Sequence, residues 1–215
     1  KQYVAKLQTL VDIKDLDQFA IEIDVRTVDR AKVEFYHDQG INRISFGVQD
    51  FNPDVQKAVN RIQPVEMIKD VLTPEVRNRF KSVNFDILWG LPLQTQETFR
   101  ETVKTLKHLS PDRITLLHYG HFPNIFKHQA NINASDIAGE YEKLMFNMEA
   151  IGELEAEGYE WVGLDHFAKP DNEMVQWKAQ HRLRRGFIGY TCEVDNLIGL
   201  GPSALSSFDK YYAQN

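Results

Sequence analysis

Four apolar runs, each ending in polar residues, constrain the fold of this chain more than any other feature. They are PheAlaIleGluIleAsp (19–24), ArgIleSerPheGlyValGlnAsp (43–50), AsnPheAspIleLeuTrpGlyLeuPro (84–92) and ArgIleThrLeuLeuHisTyrGlyHisPhePro (113–123). Strand-length runs separated by helical patterns are the signature of βαβ units, whose parallel strands need crossover helices. A row of them presenting polar ends together reads as one wall of a parallel β/α barrel, with its site at the carboxyl ends of the strands.

The segments between the runs fit that reading. Tyr3, Val4, Leu7, Leu10 and Val11 recur at helical spacing, so the chain is expected to open in a helix. Val28 to His37 reads as a crossover helix closed by Gly40, and Asn52-Pro53 supplies an N-cap and first-turn proline for a helix running to about Arg61. Val65 to Leu72 and a restart at Thr73-Pro74 make the next crossover longer. Thr95 caps a helix carrying Phe99, Val103, Leu106 and Leu109, which Ser110-Pro111 stops. From Ser135 a long helix is expected to place Tyr141, Leu144, Met145, Met148, Ile151 and Leu154 on one face and to end at Gly158, before another strand at 159–164. The remainder, from Lys169, is less regular. No repeat or linker divides the chain, so residues 1–215 are expected to form one domain.

Composition narrows the class. With 215 residues, 42% apolar and 26% charged, the chain can bury a sizeable core. No apolar stretch approaches ~20 residues and no charged leader precedes a signal-like segment, so neither a membrane span nor export is expected. A single cysteine, Cys192, points to the cytoplasm. A net charge of −6 argues against non-specific binding of nucleic acid, which draws on a basic face.

Several residues could carry chemistry. Glu22 and Asp24 share a strand face, either as a carboxylate pair at a barrel mouth or as a solvated strand end. Gln49 offers a donor and an acceptor, while Asp50 could simply cap the helix behind it. Asp86 sits in a run expected to be buried on both faces, where a carboxylate must bond a helix end or face a ligand. His118, Tyr119, His121 and His128 invite a metal reading, but carboxylate or thiol partners at ligand spacing are missing. The basic stretch Lys178, His181, Arg182, Arg184 and Arg185 could clamp carboxylates, although such runs more often form solvated helix faces. Gly199-Leu-Gly201 could bring backbone amides to a ligand, and Cys192 has no obvious base beside it.

Taken in order, GlyValGlnAspPheAsn (47–52) with AsnArg at 60–61, AspIleLeuTrpGlyLeuPro (86–92), HisTyrGlyHisPhePro (118–123), AspHisPheAlaLysPro (165–170), and GlyTyrThr (189–191) before GlyLeuGlyProSerAlaLeuSer (199–206) resemble one family. It is that of the oxygen-independent coproporphyrinogen III oxidases, radical S-adenosylmethionine (SAM) enzymes of haem biosynthesis. The resemblance implies an α/β fold, a partial (β/α) barrel with parallel strands and outer helices. The family's CysxxxCysxxCys loop and GlyGlyGlyThrPro segment do not occur here, so the chain resembles the middle of such an enzyme, with four of six barrel strands and the first ones missing.

In the family a 4Fe-4S cluster and SAM remove hydrogen from propionate side chains, and loss of carbon dioxide and an electron leaves vinyl groups. The resemblance therefore implies conversion of coproporphyrinogen III to protoporphyrinogen IX, two SAM molecules, a porphyrinogen partner, and an electron donor and acceptor. It places Glu22 and Leu205 on the cluster-bound SAM, and Gln49, Arg61, Asp86 and Gly120 on the second. No catalytic residue or metal ligand is assigned within this sequence, and the fragment alone is expected to be inactive and to self-associate. Relatives that methylate and open haem, or carry it as chaperones on the same fold, are the alternatives.

Overall fold

The structure, a computed structural model, describes residues 2–186, 189–192, 196–208 and 210–215. Strands β1 (Ala20–Ile23), β2 (Arg43–Gln49), β3 (Ser82–Trp89) and β4 (Arg113–His118) pair in parallel in that order. Their register aligns Ile23, Phe46, Phe85 and Ile114. With Ile44, Val83 and Ile87 these form a buried apolar face. By the period of two, Glu22, Ser45, Asn84 and Arg113 form a row on the opposite face, with Asp86 and Thr115 in the next. The expectation that the run around Asp86 is buried on both faces is therefore corrected: one face is core and the other is polar, and Asp86 is half-buried on it.

Helices α1 (Gln2–Leu7), α2 (Arg30–Asp38), α3 (Pro53–Ala58), α4 (Val65–Val71), α5 (Pro74–Arg77), α6 (Gln96–Leu109), α7 (Glu140–Ala156) and α8 (Glu173–Ala179) complete the pattern. Their starts are written locally. Asp29 accepts from the Lys32 amide, Asn52 from those of Asp54 and Val55, and Thr95 and Thr98 form a reciprocal capping box. Val33, Ile68, Val76, Phe99, Leu106 and Phe146 lay the crossover helices on the apolar face of the sheet. Each such side chain contributes about 1.5–3 kcal/mol by leaving water.

Two expectations are changed, and the strand expected at 159–164 is present as half of a hairpin. The opening helix ends at Leu7, and Leu10 and Val11 are exposed beyond it. Helix α7 turns Phe146, Ala150 and Leu154 inward, whereas Tyr141 is 76% and Met148 58% exposed. The Lys143 stem lies in their place, over Gly90, where a Cβ would come within 2.6 Å of it. Beyond α7, β5 (Glu160–Gly163) and β6 (His166–Ala168) form a hairpin, and β6 rather than β5 joins β4, antiparallel. Phe167 is the reason, since it extends the row of Phe85 and Ile114 across the core while Trp161 stays outside. The sheet runs β1-β2-β3-β4-β6-β5 and stays open.

Two smaller sheets follow. Strands β7 (Leu183–Gly186) and β8 (Gly189–Cys192) form a hairpin, and β9 (Asn196–Leu197), β10 (Leu205–Phe208) and β11 (Tyr211–Gln214) an antiparallel trio. At the amino end of the main sheet, Glu173 of α8 lies 2.8 Å from Arg43 Nε and 2.6 Å from Arg113 Nη2. Burial draws Arg113 down to about 10, against the pull of Glu173. This knot closes the floor of the polar face. Among the described residues, no helix is long and apolar enough to cross a membrane.

Candidate active site at the carboxyl ends of the strands

The carboxyl end of β2 is bent for a purpose visible in its neighbours. A bulge shifts the register between Gly47 and Gln49, and Gln49 takes a left-handed φ of 69°. Arg61 then reaches back, donating to the Gly47 carbonyl at 2.8 Å and lying 3.5 Å from Asp24. A Cβ on Gly47 would stand 3.0 Å from both Arg61 Nη2 and Gln49 Nε2, so the two side chains converge over a residue that must be small. Asp24 also binds Arg26, Nη2 to Oδ2 at 2.6 Å, and this partner, opposed by burial and aided by Arg61, holds its carboxyl below the usual range. The pairing of Glu22 with Asp24 is thus not a bare carboxylate dyad, because Asp24 is occupied by two guanidiniums.

Behind the rim lies a lattice of buried amides. Asp50 accepts from the Asn52 amide and Gln94 at 2.6 Å and from Thr102 at 2.9 Å. Burial nevertheless raises its carboxyl above the ordinary value. Gln94 in turn accepts from the Gly90 amide, while Gln63 donates to the carbonyls of Gly47 and Val48. These groups fix the loops after β2 and β3, so Asp50 is structural. The capping role expected of Asp50 understates it, and buried Gln56, Gln63 and Gln94 carry no periodic signal that exposes the lattice.

On the polar face, Asp86 accepts from Ser45 Oγ at 2.9 Å and from Asn84 Nδ2 at 2.7 Å, and Asn84 also reaches Thr115. Gly120 follows β4, where its carbonyl accepts from Gln129 at 3.0 Å. Gln49, Asn60, Arg61, Leu88, Tyr119 and Gln129 line a cavity of about 450 Å³ at this end of the sheet. Gln49, Arg61 and the loop of Gly120 are thereby brought to one place, with Glu22 and Asp86 on the polar face beside it. Leu205 lies in β10, opposite Gln214, in a sheet separate from that of Glu22.

The other candidates take ordinary places. His118 stacks on Trp89 and His121 meets the Tyr119 hydroxyl at 3.1 Å, and among the described residues no group of three metal-binding side chains converges. Lys178 donates to the Trp161 carbonyl and Arg184 to that of His181. Gly199 is needed for packing, since its Cβ would fall 2.4 Å from the Leu205 carbonyl oxygen.

Comparison with known proteins decides the family. The radical SAM superfamily model matches residues 1–106. The oxygen-independent coproporphyrinogen III oxidase of Pseudomonas aeruginosa is 38% identical over 100% of this chain and 47% of its own length. That of Escherichia coli is 40% identical over 92% of this chain and 44% of its own. The chain belongs to the radical SAM superfamily. The solved coproporphyrinogen III oxidase (HemN) of Escherichia coli, a radical SAM enzyme, superposes with a TM-score of 0.94 at 37% identity, over 100% of this chain and 50% of that one. This radical SAM chain spans about half the length of the curated relatives it matches.

Two cofactors of the superfamily meet different fates here. SAM carries ribose hydroxyls, an ammonium and a carboxylate, and the rim over Gly47 brings together the Gln49 amide and the Arg61 guanidinium, with Asp24 3.5 Å from that guanidinium, so it fits. A four-iron cluster does not. It needs several thiolates, and the sequence has only Cys192, half-buried on β8. Any such cluster draws its ligands from outside these 215 residues.

Proposed function

We propose that this chain is the SAM- and substrate-binding part of an enzyme that oxidatively decarboxylates two propionates of coproporphyrinogen III, giving protoporphyrinogen IX. The observation that carries the reading is 38% identity to an enzyme of that name along the entire chain. Each conversion takes a hydrogen atom from the propionate β-carbon, releases carbon dioxide and passes one electron to an external acceptor, which leaves a vinyl group. Bound SAM, with a reduced cluster, supplies the hydrogen-abstracting group. The residues of this chain hold and orient. Arg61 suits a carboxylate, Asp86 and Glu22 suit hydroxyls or an ammonium, Gln49 reads either, and the Gly120 backbone serves without a side chain. In this reading Leu205 joins Glu22 at the SAM bound to the cluster, while Gln49, Arg61, Asp86 and Gly120 serve a second SAM. An electron donor for the cluster is a required partner, and the single cysteine favours the cytoplasm.

Anaerobic turnover of the full-length protein with coproporphyrinogen III and a reductant tests this. Protoporphyrinogen IX with two carbon dioxide molecules per macrocycle is expected. Linear tetrapyrroles from haem, or tight haem binding without turnover, would overturn it.

A further inference from the structure

The AspHisPheAla segment at 165–168 has so far only marked the family, yet its first two residues reach the polar face. His166 stands opposite Thr115, in the row that holds Asp86 and Gly47. Its Nδ1 lies 2.5 Å from Asp165 Oδ1. Tyr190 packs edge-on against the ring, with centroids 5.0 Å apart and planes at 83°. Gly163 makes that possible, because a Cβ there would fall 2.3 Å from the Tyr190 hydroxyl. The ring is thus held from two sides.

No described residue hydrogen-bonds Nε2, and even a Cβ on the nearby Gly189 would stand 3.9 Å from it. His166, Tyr190, Thr115, Asn84 and Ser45 border a cavity of about 260 Å³. A carboxylate only accepts, so Nδ1 carries the proton shared with Asp165. Burial keeps the imidazole below its ordinary value, with Arg185 acting the same way and Asp165 and Asp86 opposing. The neutral ring therefore turns a lone pair into the cavity, and the group that meets Nε2 must be a donor.

We propose that His166 Nε2 accepts a pyrrole N–H of the porphyrinogen, with Asp165 as the positioning residue that fixes the tautomer. This rests on the function proposed above. A porphyrinogen offers four such donors, and its methylene bridges let one ring tilt away from the rest. The cavity has room for one substituted pyrrole, leaving the macrocycle at the mouth.

The test compares two ligands on the full-length protein by anaerobic quenching of tryptophan fluorescence. Coproporphyrinogen III has pyrrole N–H groups; zinc coproporphyrin III has the same propionates and none. His166→Phe, which keeps the ring, is expected to weaken the porphyrinogen about tenfold, the worth of one neutral hydrogen bond, and to leave the zinc compound unchanged. His166→Gln, which restores an acceptor, should recover most of the loss. Asp165→Asn lets the imidazole reverse its tautomer and should reproduce the Phe result without altering shape. Equal effects on both ligands, or none on either, would overturn the role of His166 while leaving the substrate assignment standing. A wild-type protein that binds no porphyrinogen would instead overturn the substrate assignment itself.

Discussion

At the scale of single residues, Asp86 and Asp24 show how environment separates two carboxylates on the same face. Asp86 takes hydrogen bonds from Ser45 and Asn84 but remains half-buried, so its loss frees small side chains that water can reach. Asp86→Ala should lower stability by about 1 kcal/mol and weaken SAM binding at least tenfold. A steep fall in melting temperature with unchanged SAM affinity would mark it as purely structural. Asp24 behaves differently because Arg26 holds its folded-state carboxyl below the ordinary value. The stability this contributes is complete above the ordinary carboxylate range and is lost as pH falls through the depressed value. Asp24→Asn should flatten that acid limb in thermal unfolding followed against pH; an unchanged limb would assign it to other groups. Strand period made Asp24 visible, and its place in an apolar run made Asp86 visible. The sequence could not show their partners, because Arg61 and Ser45 arrive from other elements.

Among the elements, helix α7 is the clearest case of a pattern that misleads. The expected face of Tyr141, Leu144, Met145, Met148, Ile151 and Leu154 has helical spacing, yet of these only Leu154 is buried and Ile151 partly so, and the buried line runs through Phe146 and Ala150 instead of the first four. Two apolar stripes share the helix, and periodicity alone does not choose between them. The structure chooses by docking α7 beside α6, where Phe146 meets Phe99 with centroids 6.4 Å apart. Phe146→Ala should therefore cost about 3–5 kcal/mol and Met148→Ala less than about 0.5. Denaturant titration of the two variants checks this, and comparable losses would restore the face read from sequence. The crossover helices with capped starts were legible for the opposite reason, since Asn52, Thr73 and Thr95 act within one turn of themselves. The β5–β6 hairpin was half-legible: its strand pattern shows, but which strand meets β4 depends on the distant row that Phe167 completes.

For the whole molecule, two expectations follow from what the chain carries and how its sheet ends. Reconstituted with iron and sulfide, these 215 residues should form no stable four-iron cluster, since Cys192 is their only thiol; a stoichiometric cluster absorption band would require another ligand set. The second concerns β1, which pairs with β2 on one side only and leads the order of the open sheet. Among the described residues no strand pairs with its other side, and Ala20 within it is exposed. Such an edge is a template for another strand, and Glu22 and Asp24 are its main guards. Asp24 is neutralised by its guanidinium partners, which leaves Glu22 as the remaining repulsive charge. Two copies meeting edge to edge would gain backbone hydrogen bonds against the repulsion of one carboxylate from each. The isolated chain is thus expected to self-associate with rising concentration, more strongly in Glu22→Gln and at high salt, where that repulsion is reduced. Sedimentation across a wide concentration range reads this directly. A monomer at every concentration, with amide exchange at 19–24 as slow as in β2, would show that the edge is already covered within the chain.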